Sequence, residues 1–404
     1  MTQSHFERIR DLSQPIDAKI VLLVLDGLGG LPREPGGPTE LEAAQTPNLD
    51  ALAAEGITGL HVPVAPGITP GSGPGHLGIL GYDPLTYTIG RGALAAAGID
   101  FDLQPGDVAA RGNFCTVDEA GDVVDRRAGR IDTSENERLC EMLRQIRVDG
   151  VEVFLEPIKE HRFLLVLRGH GLSDKIDDTD PQQTGCSPKS PVALKPEAQD
   201  TADKVERLLA QAGEILRKES SANMVLLRGF ASRPEWPSFA DVFGLRAAAT
   251  ANYPMYRGIA RLLGMRALTE ADTIQDSVAL VREQFADYDF FFVHMKTTDS
   301  TGEDGDFAAK VKAIETADAA ALALQEMNPD VLIVTGDHST PAVLKAHSWH
   351  PVPALLWSRH CRPDGATEFG ECACLAGAMG ARFPATDLMP LALAHAGRLK
   401  KYGA

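Results

Sequence analysis

A short apolar run, Val331-Leu-Ile-Val334, is followed at once by Thr335-Gly-Asp-His-Ser-Thr340. A β-branched apolar stretch of this length reads as a buried strand. Asp337 and His338 then stand together in a glycine-bearing turn where the strand ends. Open α/β sheets place their sites at the C-terminal ends of their strands. The pattern recurs twice. Lys19-Ile-Val-Leu-Leu-Val-Leu25 runs into Asp26-Gly27-Leu28-Gly29-Gly30, and Asp289-Phe-Phe-Phe-Val-His294-Met-Lys296 runs into Thr297-Thr-Asp299-Ser-Thr-Gly-Glu303. Helical patterns over Asn252–Leu263, Ile274–Phe285 and Phe307–Met327 alternate with these strands. The alternation predicts an α/β fold with a doubly wound, mostly parallel sheet. The segment after Lys296 reads as a loop.

The stretch from 98 to 199 has a different texture. Short alternating runs such as Val108–Phe114, Asp122–Arg127, Val151–Leu155 and Phe163–Arg168 are separated by Gly, Asp and Pro, which reads as β-rich with hairpin turns. The chain is therefore expected to divide into a discontinuous core of 1–97 and 200–404 and an inserted, smaller α+β domain of 98–199, with hinges near Gly98 and Pro196. The insert is dense in arginine, with Arg111, Arg126, Arg127, Arg130, Arg162 and Arg168. Planar guanidinium forks capture phosphate and carboxylate in a bidentate manner, so the cluster points to a small anionic substrate.

The chain as a whole is acidic, with 39 Lys and Arg against 56 Asp and Glu. That balance argues against a general nucleic-acid binder, which needs a basic face. No apolar stretch approaches the roughly 20 residues of a membrane span, and the N-terminus is polar, so the cytoplasm is the expected location. Six cysteines include one close pair, Cys372 and Cys374, without a second pair to complete a zinc ribbon. Free thiols in a reducing compartment fit best, and the pair is expected to pack in the core.

Two further stretches carry chemistry. Thr46-Pro47 to Gly56 reads as a helix with Thr46 as N-cap. Pro66-Gly-Ile-Thr-Pro-Gly-Ser72-Gly-Pro-Gly-His76 crowds glycine and proline about a single serine before an apolar segment. A tight turn there presents Ser72 at a helix N-terminus, where exposed amides and the helix dipole favour an anion. Carboxylates and imidazoles at four strand ends (Asp26, Asp299 with Glu303, Asp337 with His338, and His347) repel one another unless cations neutralise them. This mixed oxygen and nitrogen donor set suits Mn²⁺, Zn²⁺ or Mg²⁺. Two such ions can support an in-line phosphoryl transfer to a serine.

Taken together and in order, Leu25-Asp26-Gly27, Ser72-Gly-Pro-Gly-His76-Leu77, Asp299, Thr335-Gly-Asp337-His338-Ser-Thr-Pro341 and His347 with Pro351-Val-Pro353 resemble one family. It is the cofactor-independent phosphoglycerate mutases of the archaeal type, within the alkaline phosphatase superfamily. Gly81-Tyr-Asp-Pro84, Gly90-Arg-Gly92, Asp125-Arg-Arg-Ala-Gly-Arg-Ile131 and Leu172-Ser-Asp-Lys-Ile-Asp177 are similar to it as well.

The resemblance implies an alkaline-phosphatase-like core and two divalent metals, with Mn²⁺ favoured over Zn²⁺, Co²⁺ or Mg²⁺, and no 2,3-bisphosphoglycerate. It implies one metal on Asp26, Ser72, Asp337 and His338, and the other on Asp299, Glu303 and His347. The family has histidine where this chain has Glu303; glutamate still binds a metal and favours a harder ion. The implied reaction interconverts 3-phosphoglycerate and 2-phosphoglycerate, in glycolysis or gluconeogenesis, through a phosphoserine at Ser72. Arg111, Arg126, Arg127, Arg130, Lys175, Arg228 and Arg257 would hold the substrate, with Arg257 standing where the family has a lysine. Asp174 and Asp177 are the candidate acid/base groups. The alternatives are a metal-dependent phosphomonoesterase, a phosphotransferase to another small alcohol of the homoserine kinase-like kind, or an inactive relative that binds a small anion.

Overall fold

The protein is described here by a computed structural model covering residues 3–268 and 271–403. Among the described residues thirteen strands follow in chain order: β1 (Ile20–Leu25), β2 (Ile57–Val62), β3 (Val108–Val117), β4 (Val123–Asp125), β5 (Val151–Lys159), β6 (Arg162–Gly169), β7 (Met224–Ala231), β8 (Ala247–Thr250), β9 (Arg266–Ala267), β10 (Phe290–Met295), β11 (Val331–Thr335), β12 (Val352–Ser358) and β13 (Gly380–Pro384). They form two sheets, and the chain divides into two compact units, Met1–Thr88 with Trp236–Ala404, and Ile89–Glu235.

The first unit holds an eight-stranded sheet in the order β13-β2-β12-β11-β1-β10-β8-β9. β1 lies parallel to both β10 and β11, with Ile20 opposite Phe290 and Val331. All three strands are buried along their whole length, which is why their sequences are unbroken apolar runs. Each Val, Leu or Phe buried in this way contributes about 1.5–3 kcal/mol, so the register is strongly held. Because the three strands are parallel and in step, Asp26, Lys296 and Asp337 emerge from the same sheet edge. β12 runs antiparallel to β11, with Thr335 opposite Ala354, so His347 enters β12 from that edge too. The expected doubly wound, mostly parallel sheet is observed.

The second unit carries a five-stranded antiparallel sheet built on β3, which pairs with β4, β6 and β7, while β5 pairs with β6. Its limits differ from the expected 98–199. The helix Gln199–Leu216 buries Ala202, Val205, Leu208, Leu209, Ala212 and Leu216 in this unit's core. β7 completes its sheet, and Ala93 and Ala96 of the helix Arg91–Gly98 pack on Ala109 and Leu164. Gly98 and Pro196 therefore lie inside the second unit, and the boundaries fall at Thr88/Ile89 and Glu235/Trp236.

Three local expectations are corrected. Thr297–Asp304 is a helix rather than a loop, closed by Gly305 in the left-handed conformation. Thr46 makes no side-chain cap for Pro47–Glu55; the buried Asp318 accepts from Asn48 N at 3.0 Å and Leu49 N at 2.8 Å instead. Cys374 is buried, but Cys372 is exposed and does not pack in the core. All six cysteines are free. No helix among the described residues is long and apolar enough to cross a membrane.

Candidate active site

Three turns and one short helix at the carboxyl edge of the first sheet bring the candidate ligands together. The turn after β1 needs Gly27 at φ +67°, and a Cβ there would lie 2.5 Å from Thr340 Oγ1 and 2.9 Å from Asp299 Oδ1. The helix Ser72–Ile79 is rich in glycine because it lies on the β11 turn: a Cβ on Gly75 would meet the Asp337 carbonyl oxygen at 2.4 Å. Gly71 is the N-cap, so Ser72 is the first helical residue, as expected from its sequence context.

Two donor groups result, Asp26 with Asp337 and His338, and Asp299 with His338 and His347; within each, donor atoms lie within 4.8 Å of one another. His338 belongs to both. Its hydrogen bonds determine its tautomer. Thr340 Oγ1 donates its one hydrogen to Asp299 Oδ1 at 2.6 Å, so it accepts from His338 Nδ1 at 3.0 Å. A neutral His338 then presents a bare lone pair at Nε2. That atom lies 3.1 Å from Asp337 Oδ2, 3.3 Å from Asp26 Oδ1 and 3.4 Å from Ser72 Oγ. Neither carboxylate oxygen has a hydrogen-bond partner, and both residues are fully buried. His76 Nδ1 lies 3.0 Å from Asp337 Oδ2, but a lone pair facing two buried carboxylate oxygens is still repulsive without a further cation, so these residues fit a divalent metal ion. His347 is arranged likewise: Nδ1 donates to the Pro70 carbonyl at 2.9 Å, and Nε2 faces Asp299 Oδ1 at 3.5 Å. The imidazoles of His338 and His347 stack at 3.7 Å.

The electrostatics agree. Burial alone would push Asp26 up, but Lys296, His294 and His338 hold it well below the usual carboxylate range. Burial and the charge of Asp26 push Asp337 up, yet His338 and His76 bring it down overall. Burial outweighs the neighbouring carboxylates at His338 and keeps that ring neutral. His76 goes the other way: burial alone would lower it, but the charge and hydrogen bond of Asp337, 3.0 Å away, together with Asp26 and the Ser72 carbonyl, raise it overall. His76 Nδ1 also lies 2.7 Å from the Ser72 carbonyl, tying the serine's backbone to a ligand carboxylate.

Several participants were not anticipated. Lys296 Nζ sits 3.2 Å from Asp26 Oδ2 and contacts Asp299, and these carboxylates raise its pKa despite burial. His294 Nε2 lies 3.2 Å from Asp26 Oδ2, and Tyr256, stacked on His294 at 3.7 Å, donates to the same oxygen. The run His294-Met-Lys296 ends β10 at the active edge, so the rule that found Asp337 could have found these two. Tyr256 carries no such signal. Arg257, expected near the phosphate, directs Nη1 to the carbonyls of Ala251 and Asn252 at 3.4 Å, and Lys296 lies beside the ligands. Glu303 lies one helical turn beyond Asp299 but outside the compact groups, 3.8 Å from His347 Nε2, with its side chain 54% exposed.

The remaining candidates belong to the second unit. Arg111 on β3 and Arg228 on β7 are cross-strand partners. Arg228 lies 3.5 Å from Asp178 and 3.4 Å from Asp180. The fork of Arg126 is taken up by Asp180, at 2.9 and 2.7 Å. Arg127 and Arg130 are exposed on a left-handed turn (Ala128 φ 46°, Gly129 φ 67°, Arg130 φ 55°), where Asp125 accepts from the amides of Arg127 and Gly129 at 2.7 Å. Asp174 accepts from Ser232 N and pairs with Lys175 at 2.8 Å, and Asp177 lies 4.0 Å from Lys189.

Known proteins share this chain's sequence and fold. Residues 53–222 match the family model described as 2,3-bisphosphoglycerate-independent phosphoglycerate mutase. A probable 2,3-bisphosphoglycerate-independent phosphoglycerate mutase of Thermus thermophilus is 50% identical over 404 residues, covering 99% of each chain. One of Aquifex aeolicus is 49% identical over 407 residues, covering 98% of this chain and 99% of that one. The solved structure of a cofactor-independent phosphoglycerate mutase from Thermoplasma acidophilum superposes with a TM-score of 0.71 at 30% identity, covering 94% of this chain and all of that one. A protein of Pyrococcus horikoshii does so with a TM-score of 0.84 at 29% identity, over 96% of this chain and all of that one.

Proposed function

This chain belongs to the 2,3-bisphosphoglycerate-independent phosphoglycerate mutase family, and on that premise we propose that it interconverts 3-phosphoglycerate and 2-phosphoglycerate through a phosphoserine at Ser72. The observation that carries the reading is the placement of Ser72 Oγ at a helix N-terminus, 3.4 Å from the one imidazole common to both donor groups. Asp26, Ser72, Asp337 and His338 would hold one divalent ion, and Asp299 and His347, with Glu303 at the margin, a second. When bound, these ions supply positive charge beside the serine oxygen and the phosphoryl oxygens.

Ser72 Oγ bonds to phosphorus as the bond from phosphorus to the 3-oxygen of the substrate breaks. The proton that the serine gives up is matched by the one that the departing glycerate oxygen takes on. Glycerate's 2-oxygen then attacks phosphorus, the bond to Oγ breaks, and the serine regains a proton. The amides of the first turn of Ser72–Ile79 face the phosphoryl oxygens, and the Lys296 ammonium adds a further charge there. Arg111, Arg127, Arg130 and Arg228 are proposed to hold the substrate's anionic groups, and Asp174 and Asp177 to move protons at its hydroxyls. Arg126 is proposed to hold the substrate with them, from the pair that its fork makes with Asp180.

The test is an assay with 3-phosphoglycerate and Mn²⁺, Zn²⁺, Co²⁺ or Mg²⁺, following 2-phosphoglycerate and inorganic phosphate separately. The expected result is isomer without stoichiometric phosphate, lost in Ser72→Ala, with label from phosphoglycerate trapped on Ser72 after acid quench. Phosphate without isomer would establish a phosphomonoesterase instead.

A further inference from the structure

The helix Phe307–Gln325 turns an apolar face of Ala313, Ile314, Ala317, Ala320, Ala321 and Leu324 to the core, yet its first turn puts a lysine on that face. Lys310 is fully buried. Its ammonium makes three hydrogen bonds, to the carbonyl oxygens of Gly27 at 2.9 Å, Gly29 at 3.1 Å and Thr340 at 2.8 Å. Among the described residues no carboxylate comes within ion-pair distance of it. A buried ammonium is costly, and burial accordingly lowers its pKa. An ammonium offers three donors and no acceptor, so three converging carbonyls match it fully.

Those carbonyls belong to the two turns that carry the ligands. Gly27 and Gly29 follow Asp26; Thr340 follows Asp337 and His338, and its hydroxyl orders Asp299 and His338. The same two turns are joined by Thr340 N, which donates to Gly27 O at 3.2 Å and Gly29 O at 3.1 Å. Glu40, also fully buried, links the continuations of the same two turns, accepting from Leu31 N at 3.0 Å and Ala342 N at 2.7 Å. The bonds made by Lys310 Nζ, by Thr340 N and by the Glu40 carboxylate use no ligand atom, so they are available before a cation arrives.

We infer that Lys310 is a positioning residue for the metal centre: it holds the Asp26 turn against the Asp337-His338 turn and so presets the ligands for a divalent cation. This rests on the metal-binding reading of the site proposed above. Preset ligands bind more tightly because less ordering is left to the binding step, so loss of the ammonium weakens the cation without removing any ligand.

The experiment compares the wild type with Lys310→Met, which removes charge and donors, and Lys310→Gln, which keeps amide donors without charge. Each is titrated with Mn²⁺ by calorimetry and with Co²⁺ by visible absorption, after circular dichroism has shown native helix content. The expected result is a Mn²⁺ Kd at least tenfold weaker in Lys310→Met, an intermediate loss in Lys310→Gln, and a changed Co²⁺ band, which a purely global destabilisation would not produce. Kd and spectrum unchanged in a folded Lys310→Met would overturn the inference. So would failure of both variants to fold even in excess Mn²⁺, which would assign the lysine to the fold as a whole. A wild type that binds neither ion overturns the metal reading, and this inference with it, whereas wild-type binding by Lys310→Met overturns this inference alone.

Discussion

Thr340→Val tests the tautomer argument at the centre of the site. The replacement keeps the branched shape of a fully buried residue and removes one hydroxyl. That hydroxyl makes the 2.6 Å bond to Asp299 Oδ1 and the 3.0 Å bond from His338 Nδ1. Leaving a buried polar group unpaired costs about 1–3 kcal/mol, so the metal-free variant is expected to lose about that much stability in a denaturant titration. The larger consequence is for binding. Without its partner at Nδ1, His338 no longer has its Nε2 lone pair fixed toward Asp26 and Asp337. Loss of such an orienting partner costs roughly 10–100-fold in metal affinity, or about 1.4–2.8 kcal/mol. Calorimetric titration with Mn²⁺ measures it directly, and Thr340→Ser, which keeps the hydroxyl, should restore most of the affinity. A folded Thr340→Val protein with wild-type Mn²⁺ affinity would refute the assignment of His338 as a neutral ligand oriented by Thr340.

Three further outcomes are expected. Glu303→Gln should change Mn²⁺ affinity by less than about tenfold, because Glu303 is half exposed and outside the compact donor group, whereas Asp299→Asn should remove one binding event from the same titration. Asp318→Ala should lower stability by about 1–3 kcal/mol in urea, since it strips the amides of Asn48 and Leu49 of their acceptor; an unchanged midpoint would show that Thr46 takes over the cap. Buried His61, donating to the Gly336 carbonyl at 3.0 Å, has its pKa pushed down by burial to about 4 from an ordinary 6.5. As pH falls the unfolded chain takes up this proton first, so stability is full above about 6.5 and is lost between there and about 4. By pH 5 the loss is about 2 kcal/mol, and His61→Gln should show a correspondingly shallower pH dependence of its unfolding free energy.

The first unit's sheet was legible because its strands are buried on both faces. Such strands must be apolar throughout, and a polar residue at the end of each then stands out. Asp26, Asp299, Asp337, His338 and His347 are readable for that reason, and so is Ser72, whose glycine-rich surroundings announce a close approach of backbones. The helix at Thr297–Asp304 was not legible: Thr-Thr-Asp-Ser-Thr-Gly has poor helix propensity, and position at the sheet edge outweighs it. The limits of the second unit were hidden too, because the apolar face of Gln199–Leu216 shows that the helix packs, without showing on which sheet.

The parallel core, the edge at which its chemistry gathers and most of the charged groups found there can therefore be read from the order of residues alone. Hydrophobic periodicity is a local property of the chain, and parallel strands bring their ends to one edge whatever lies between them. How those groups are held depends on contacts that folding alone brings together. Thr340 sets the tautomer of His338, Asp318 caps a helix 270 residues away, and Lys310 crosses from a distant helix to staple two ligand turns. Each is a polar contact between segments far apart in the chain, and whether a buried charge on an apolar face is a flaw or a clasp depends on which carbonyls the fold brings to meet it.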